Sequence, residues 1–163
     1  MASTSPSRRR GAAARAADVA VLVLHGPNLN LLGSGDDRTR GTETLAEIDA
    51  RLVGEGARRG VAVSAFQSNH EGALVDRVHV ARDEGVRFVI VNPGSLAPEL
   101  VALRDALVMT GIPYIEVRMG NPALAGADAV HSRLSATAVG TIAGLGSRGY
   151  DFALAYALAR LQG

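Results

Sequence analysis

The chain has 163 residues, 47% of them apolar and 20% charged, with a formal net charge of +1. That length gives one domain a substantial core, and the composition excludes both a disordered chain and a surface built for polyanions such as nucleic acid. All 17 basic residues are arginine and cysteine is absent, which excludes lysine Schiff-base chemistry, disulfides, thiolate nucleophiles and thiolate metal ligands.

The first 17 residues, MASTSPSRRRGAAARAA, are basic and rich in small side chains. The apolar part is too short and is interrupted by Arg15, so the expectation is a disordered tail rather than a signal peptide. No segment approaches the ~20 apolar residues of a membrane span, and the expected compartment is the cytoplasm. One domain is expected from residue 18 to 163.

VAVLVL (19–24) is a continuous apolar, β-branched run, as in a strand buried on both faces. TETLAEIDARLVGEGARRG (42–60) carries Leu45, Ile48, Leu52 and Val53 at helical spacing, with Thr42 as N-cap and Gly60 as stop. VAVSAF (61–66) reads as strand and EGALVDRVHVARDEG (71–85) as helix, with Asn69 a better N-cap than ligand. RFVIVN (87–92) is strand, and PELVALRDALVMTG (98–111) is a helix with Pro98 in its first turn. PYIEVRM (113–119) is strand, ATAVGTIAGLG (136–146) a glycine-broken strand, and GYDFALAYALARLQ (149–162) a closing helix.

Strict alternation of strand and helix predicts an α/β fold. Five strands in this length fit a flavodoxin-like, doubly wound parallel sheet of order 2-1-3-4-5. Ligands in that architecture bind beyond the carboxyl ends of the strands, where the order reverses. HGPNLNLLG, NPGS and RMGNP follow the first, third and fourth strands, and would converge there. Asn28 and Asn92 offer amide donors, and Gly94, Gly120 and nearby backbone N–H groups suit a carboxylate or enolate oxygen; each Asn also suits a cap on its own loop. Glu116 and Arg118, two apart on one strand, share a face and read as a buried ion pair or a site. Arg104 and Asp105 read first as surface charges on their helix. SNHE (68–71) lacks a second ligand at helical spacing, so no metal is expected. His131 beside Ser132 lacks the third group of a relay, and GLGSRGY has neither the order nor the place of a dinucleotide motif.

Together LHGPNLNLLG (24–33), QSNHEGALVDRVHVAR (67–82), VNPGS (91–95), VALRDAL (101–107), PYIEVRMGNP (113–122) and AVGTIAGLGSRGYDFALAYAL (138–158) resemble the type II 3-dehydroquinate dehydratases. The resemblance implies trimers assembled into a dodecamer, with the residue matching Asp105 reaching a neighbour's site. It implies a trans-elimination of water. A tyrosinate, its pKa lowered by an Arg, removes the proton α to a ketone; an Asn-held water stabilises the enolate; a His protonates the departing hydroxyl.

By the same resemblance, the enolate-side Asn matches Asn28 and the carboxylate-binding Asn matches Asn92. The amide donors match Met119 and Gly120, the His-orienting Glu matches Glu116, and the helix Arg-Asp pair matches Arg104 and Asp105. The family's mobile loop, R-E-P-x-x-Y-G, stands here as GDDRTRG. Its Arg falls on Gly35 and its Tyr on Arg40, while the catalytic His falls on Arg118. A substrate-contacting His falls on Pro98, and two further Arg fall on Ala125 and Ala129. Guanidinium groups stay protonated at ordinary pH and replace neither a base nor an acid.

The candidate catalytic residues are therefore Arg40, Arg118, Glu99 and Glu116, with Asp36 and Asp37 as further proton carriers. The candidate substrate contacts are His25, Asn28, Asn92, Gly94, Met119, Gly120, Arg104 and Asp105. No cofactor is expected. The expected partner is a small carboxylate or enolisable ketone. The leading expectation is an enzyme re-purposed for dehydration, isomerisation or cyclisation in secondary metabolism, on a less hydroxylated substrate suited to Leu96, Pro98, Ala125 and Ala129. The alternatives are a non-catalytic ligand-binding or scaffold protein, marked by a pocket filled by Arg40 or Arg118 salt-bridged to Glu116, and a genuine 3-dehydroquinate dehydratase with displaced residues.

Overall fold

β1 (Val21–His25) is buried at every position, as a central strand covered by helices on both faces must be. Around it stand β2 (Val63–Gln67), β3 (Phe88–Asn92), β4 (Tyr114–Arg118) and β5 (Gly140–Ala143). All pair in parallel, in the predicted order β2-β1-β3-β4-β5. This computed structural model describes residues 19–34, 42–96, 100–125 and 132–163. The basic tail, Gly35, Asp36, Asp37, Arg40, Pro98, Glu99, Ala129 and His131 lie outside the described residues, as do the side chains of Leu96 and Ala125.

Side-chain alternation along each strand divides the core in two. Val21, Val23, Phe88 and Ile90 face α1 (Leu45–Arg58) and α4 (Arg148–Gln162), meeting Ile48, Leu52, Tyr150, Leu154 and Leu158. Leu22, Leu24, Val89 and Val91 face α2 (Glu71–Asp83) and α3 (Val101–Thr110), meeting Leu74, Val78, Leu103 and Leu107. Each large aliphatic side chain withdrawn from water in this way contributes about 1.5–3 kcal/mol. The two layers hold the sheet rigid and leave its carboxyl edge to the loops.

Four local details differ from the sequence reading. The cap of α1 is Thr44 rather than Thr42: its hydroxyl accepts from Glu47 N–H while the Glu47 carboxylate accepts from Thr44 N–H, a reciprocal box that Thr42 cannot form. Asn69 does not cap α2, whose N-cap is His70. The Asn69 Oδ1 instead accepts from Asn28 N–H at 3.1 Å and Gln67 Nε2 at 3.0 Å. The fifth strand is only four residues long. Before it, the Tyr114 hydroxyl donates to the Leu134 carbonyl and contacts Thr137 Oγ1, tying 134–137 into a turn; after it, Gly144 turns away at φ +82°. Finally, α3 begins at Val101 with Leu100 as N-cap.

Candidate active site

The parallel register sets His25 level with Gln67 and Asn92, so the loops leaving β1 and β3 start side by side. Two glycines let them touch. A Cβ on Gly26 would lie 2.3 Å from the Pro93 carbonyl oxygen, and one on Gly94, at φ +59°, would lie 2.4 Å from the Pro27 carbonyl oxygen. Only glycine tolerates that approach. Asn28 is the one non-glycine among the described residues with positive φ, at 67°. Its N–H is held by Asn69, and its Nδ2 donates to Ser95 Oγ at 3.0 Å.

The loop leaving β4 completes a cavity of about 340 Å³ lined by Pro27, Asn28, Leu29, Asn92, Gly94, Ser95, Arg118, Met119, Gly120, Asn121 and Pro122. It lies at the carboxyl edge of the sheet, beside the β1/β3 pair at which the strand order reverses. Asn121 closes its own turn through Oδ1 and Ala123 N–H. The N–H groups of Gly120 and Asn121 donate to no backbone carbonyl of the described residues. Those amides and the half-buried Arg118 guanidinium are groups of the kind that bind anions.

Arg118 and Glu116 lie on the α2/α3 face of β4. Glu116 is fully buried; its Oε2 accepts from Ser135 Oγ at 2.6 Å, and its Oε1 meets no hydrogen-bond donor among the described residues. No ion pair joins it to Arg118 among the described residues, and the cavity beside Arg118 is open. The Arg118 half of the sign expected of a filled, non-catalytic pocket is therefore missing; Arg40, the other half, lies outside the described residues.

Six of the predicted residues meet at this cavity: Asn28, Asn92, Gly94, Arg118, Met119 and Gly120. The amide of Gly94 is not available to a ligand, because it donates to Asn92 Oδ1 at 3.0 Å; Asn92 thus caps its own loop. His25 is not brought to the cavity. It points with Val21 and Val23 into the α1/α4 layer, where Nε2 meets Asp49 Oδ1 and Nδ1 meets the Tyr150 hydroxyl, both at 2.8 Å. Arg104 and Asp105 pair with each other on α3, at 2.6 Å, and neither lines the cavity. Glu116 stands behind the cavity wall.

All three tyrosines lie in the described residues, and none lines the cavity. Burial pushes the Tyr150 phenol far above its ordinary value. Burial likewise raises Tyr114, whose hydroxyl is engaged by the 134–137 turn. Tyr156 packs against Phe88 on the outer helix. Among the described residues no His, Asp and Glu gather in the threes a metal site needs.

Sequence reading missed Ser95, Asn69, Asn121 and Ser135. Ser95 and Asn121 sit in the turns NPGS and RMGNP, and that position was their signal. Nothing local marks the Asn69–Asn28 or the Ser135–Glu116 contact, which join residues 41 and 19 positions apart.

A family model described as dehydroquinase class II matches residues 19–158. A 3-dehydroquinate dehydratase of Ralstonia pickettii is 53% identical over 138 residues, covering 85% of this chain and 89% of the relative. One of Acinetobacter baumannii is 47% identical over 142 residues, covering 87% and 94%. The crystal structure of a type II dehydroquinase from Propionibacterium acnes superposes with a TM-score of 0.79 at 37% identity, covering 85% of this chain and 95% of that one.

Proposed function

This chain belongs to the class II dehydroquinase family, and from that premise we propose that its cavity binds a carboxylated ring ketone bearing a β-hydroxyl, with 3-dehydroquinate the first candidate, and eliminates water from it through an enolate. The observation that carries this reading is the donor-rich lining of the cavity: Arg118 with the amides of Gly120 and Asn121, in the same cavity as Asn28. Two relatives that share about half of its residues bear the name of that dehydratase. This reading displaces the secondary-metabolite enzyme as the leading one.

The proton carrier differs from a tyrosinate. Every phenol of the chain is placed elsewhere, and Arg40 and Arg118 remain cationic at ordinary pH. The proton α to the ketone is assigned to a carboxylate of the flanking segments (Asp36, Asp37 or Glu99), with Arg40 and Arg118 balancing charge on the enolate and the carboxylate. Purified protein incubated with 3-dehydroquinate should produce the conjugated enone acid, read by near-ultraviolet absorbance. Absence of turnover, together with absence of α-proton exchange in D₂O, refutes the reading.

One observation favours a second reading, in which the same enolate chemistry serves a different ring ketone. Arg118 stands on the cavity where the resemblance calls for an imidazole. Turnover of less hydroxylated ring-ketone acids, with none of 3-dehydroquinate, decides for it. We further propose that the working form is a homo-oligomer, trimer or dodecamer, in which Asp105 serves a neighbouring copy's cavity. Its carboxylate is half exposed on α3 and does not line its own cavity. Light scattering that gives a monomer contradicts this.

A further inference from the structure

QSNHE (67–71) lines no part of the cavity, and the dehydration leaves it without a role. The segment is tied at both ends. Ser68 N–H donates to the His25 carbonyl at 3.0 Å, and Glu71 Oε1 accepts from Leu103 N–H at 3.0 Å, in the first turn of α3. Between these ties, Gln67 Nε2 donates to the Gly26 carbonyl at 3.3 Å and to Asn69 Oδ1 at 3.0 Å, and the same Oδ1 accepts from Asn28 N–H at 3.1 Å. Backbone groups settle both amide orientations. An N–H only donates and a carbonyl only accepts, so Asn69 presents its oxygen and Gln67 its nitrogen. An asparagine just before a helix ordinarily serves the helix start; this one serves the loop after β1, and α2 begins without a side-chain cap.

What the segment holds is Asn28, left-handed at φ 67°. A residue other than glycine keeps that conformation only where its surroundings over-determine it, and such residues gather at functional sites. Three bonds act here. The Asn28 carbonyl accepts from Leu31 N–H at 3.1 Å, its Nδ2 donates to Ser95 Oγ at 3.0 Å, and its N–H donates to Asn69. Leu31 belongs to the turn that Asn28 itself opens, and Ser95 is another residue of the cavity wall. Asn69 alone holds Asn28 from outside the loops that form the cavity.

We propose that Asn69 is a positioning residue for the reaction: oriented by Gln67, its Oδ1 fixes the Asn28 N–H and keeps that backbone left-handed, so that the Asn28 side chain stays in the cavity wall beside Ser95. The proposal rests on the reading of this cavity as the place where a ring ketone is enolised, and deepens it. The strained backbone is set before the ligand arrives, which spares the reaction the cost of ordering it. Asn69 and Gln67 become parts of the site without touching ligand.

The test has a ligand-free arm and a ligand arm, both on the full chain. Asn69→Ala removes the acceptor, Asn69→Asp keeps one, and Gln67→Met leaves Asn69 in place without the donor that orients it. In the first arm, hydrogen exchange at the Asn28 amide should quicken about tenfold in Asn69→Ala, the scale of one lost hydrogen bond, and stay near the parent in Asn69→Asp. In the second, kcat/KM for 3-dehydroquinate, measured where every variant is folded, should fall about tenfold in Asn69→Ala and recover most of that in Asn69→Asp. Gln67→Met should move both readouts in the direction of Asn69→Ala, and it carries the test if that variant fails to fold. Asn28 exchange unchanged in Asn69→Ala overturns the proposal. So does faster exchange with the parent's kcat/KM, which reduces Asn69 to a tie between loops. If the parent turns over no 3-dehydroquinate while exchange behaves as stated, the dehydratase reading falls and the hold of Asn69 on Asn28 stands.

Discussion

Gly94→Ala is the perturbation whose cost the structure states most directly. At φ +59° an alanine sits in the left-handed region, at about 1–2 kcal/mol. Its Cβ would also stand 2.4 Å from the Pro27 carbonyl oxygen, a backbone atom that no rotamer change removes. Ordinary contact begins near 3.4 Å, so the two loops must part by roughly 1 Å, and overpacking of that order costs about 1–3 kcal/mol. The expected destabilisation is thus about 2–5 kcal/mol, a large share of the ~5–15 kcal/mol typical of a domain. Parting the loops also stretches the Asn28–Ser95 bond from 3.0 Å past hydrogen-bonding range. Misplacement on that scale costs on the order of 10²-fold in rate. Urea unfolding followed by circular dichroism measures the first effect, and 3-dehydroquinate turnover in the folded variant measures the second. A variant within about 0.5 kcal/mol of the parent, the range of neutral surface changes, would refute the claim that glycine is what lets these loops meet.

Arg118→His combined with Arg40→Tyr places an imidazole on β4, two residues from Glu116, whose Oε1 meets no donor among the described residues, and a phenol in the 31–41 segment. Turnover of 3-dehydroquinate should rise by on the order of 10²–10⁴, and adding Glu116→Gln should remove most of the gain; unchanged kcat in the folded double variant contradicts these roles. Arg118→Met should weaken 3-dehydroquinate binding and flatten its dependence on salt, because a cation–carboxylate contact is screened as ionic strength rises; calorimetry across a salt series shows whether it does. Glu43 is held below the usual carboxylate range chiefly by its hydrogen bond to Arg51. A depressed folded pKa gives stability that is present above the unfolded value, near 4.5, and is lost as pH falls through the folded one. Thermal melts of Glu43→Gln should therefore match the parent at the lowest pH and fall behind it at neutral pH; a constant gap at every pH contradicts the linkage.

The architecture was legible because period and spacing report burial. Apolar runs such as VAVLVL named the central strands, and their alternation with helices named the sheet order. Of what escaped, part had a local signal and part was decided by contacts between distant segments. Thr42 and Thr44 are equally good caps by type, and only the Thr44–Glu47 spacing, present in the sequence and overlooked, separates them. His25 looked like a ligand contact because it precedes the GPN turn. Strand alternation from Val21 and Val23 puts it instead on the α1/α4 face, and Asp49 and Tyr150 complete its bonding there. The Asn28–Asn69 and Glu116–Ser135 bonds have no local signal at all. The cavity itself followed from topology, since three turn-rich loops had to meet at one edge.

The pH dependence of kcat/KM for 3-dehydroquinate on the purified protein tests most directly whether this cavity handles enolates without a tyrosinate. The account predicts measurable turnover with an acid limb in the ordinary carboxylate range, near ~4, and no rise that follows a phenol. Turnover that grows only as a phenol ionises, or no turnover at any pH from a protein that is folded and assembled, would contradict it.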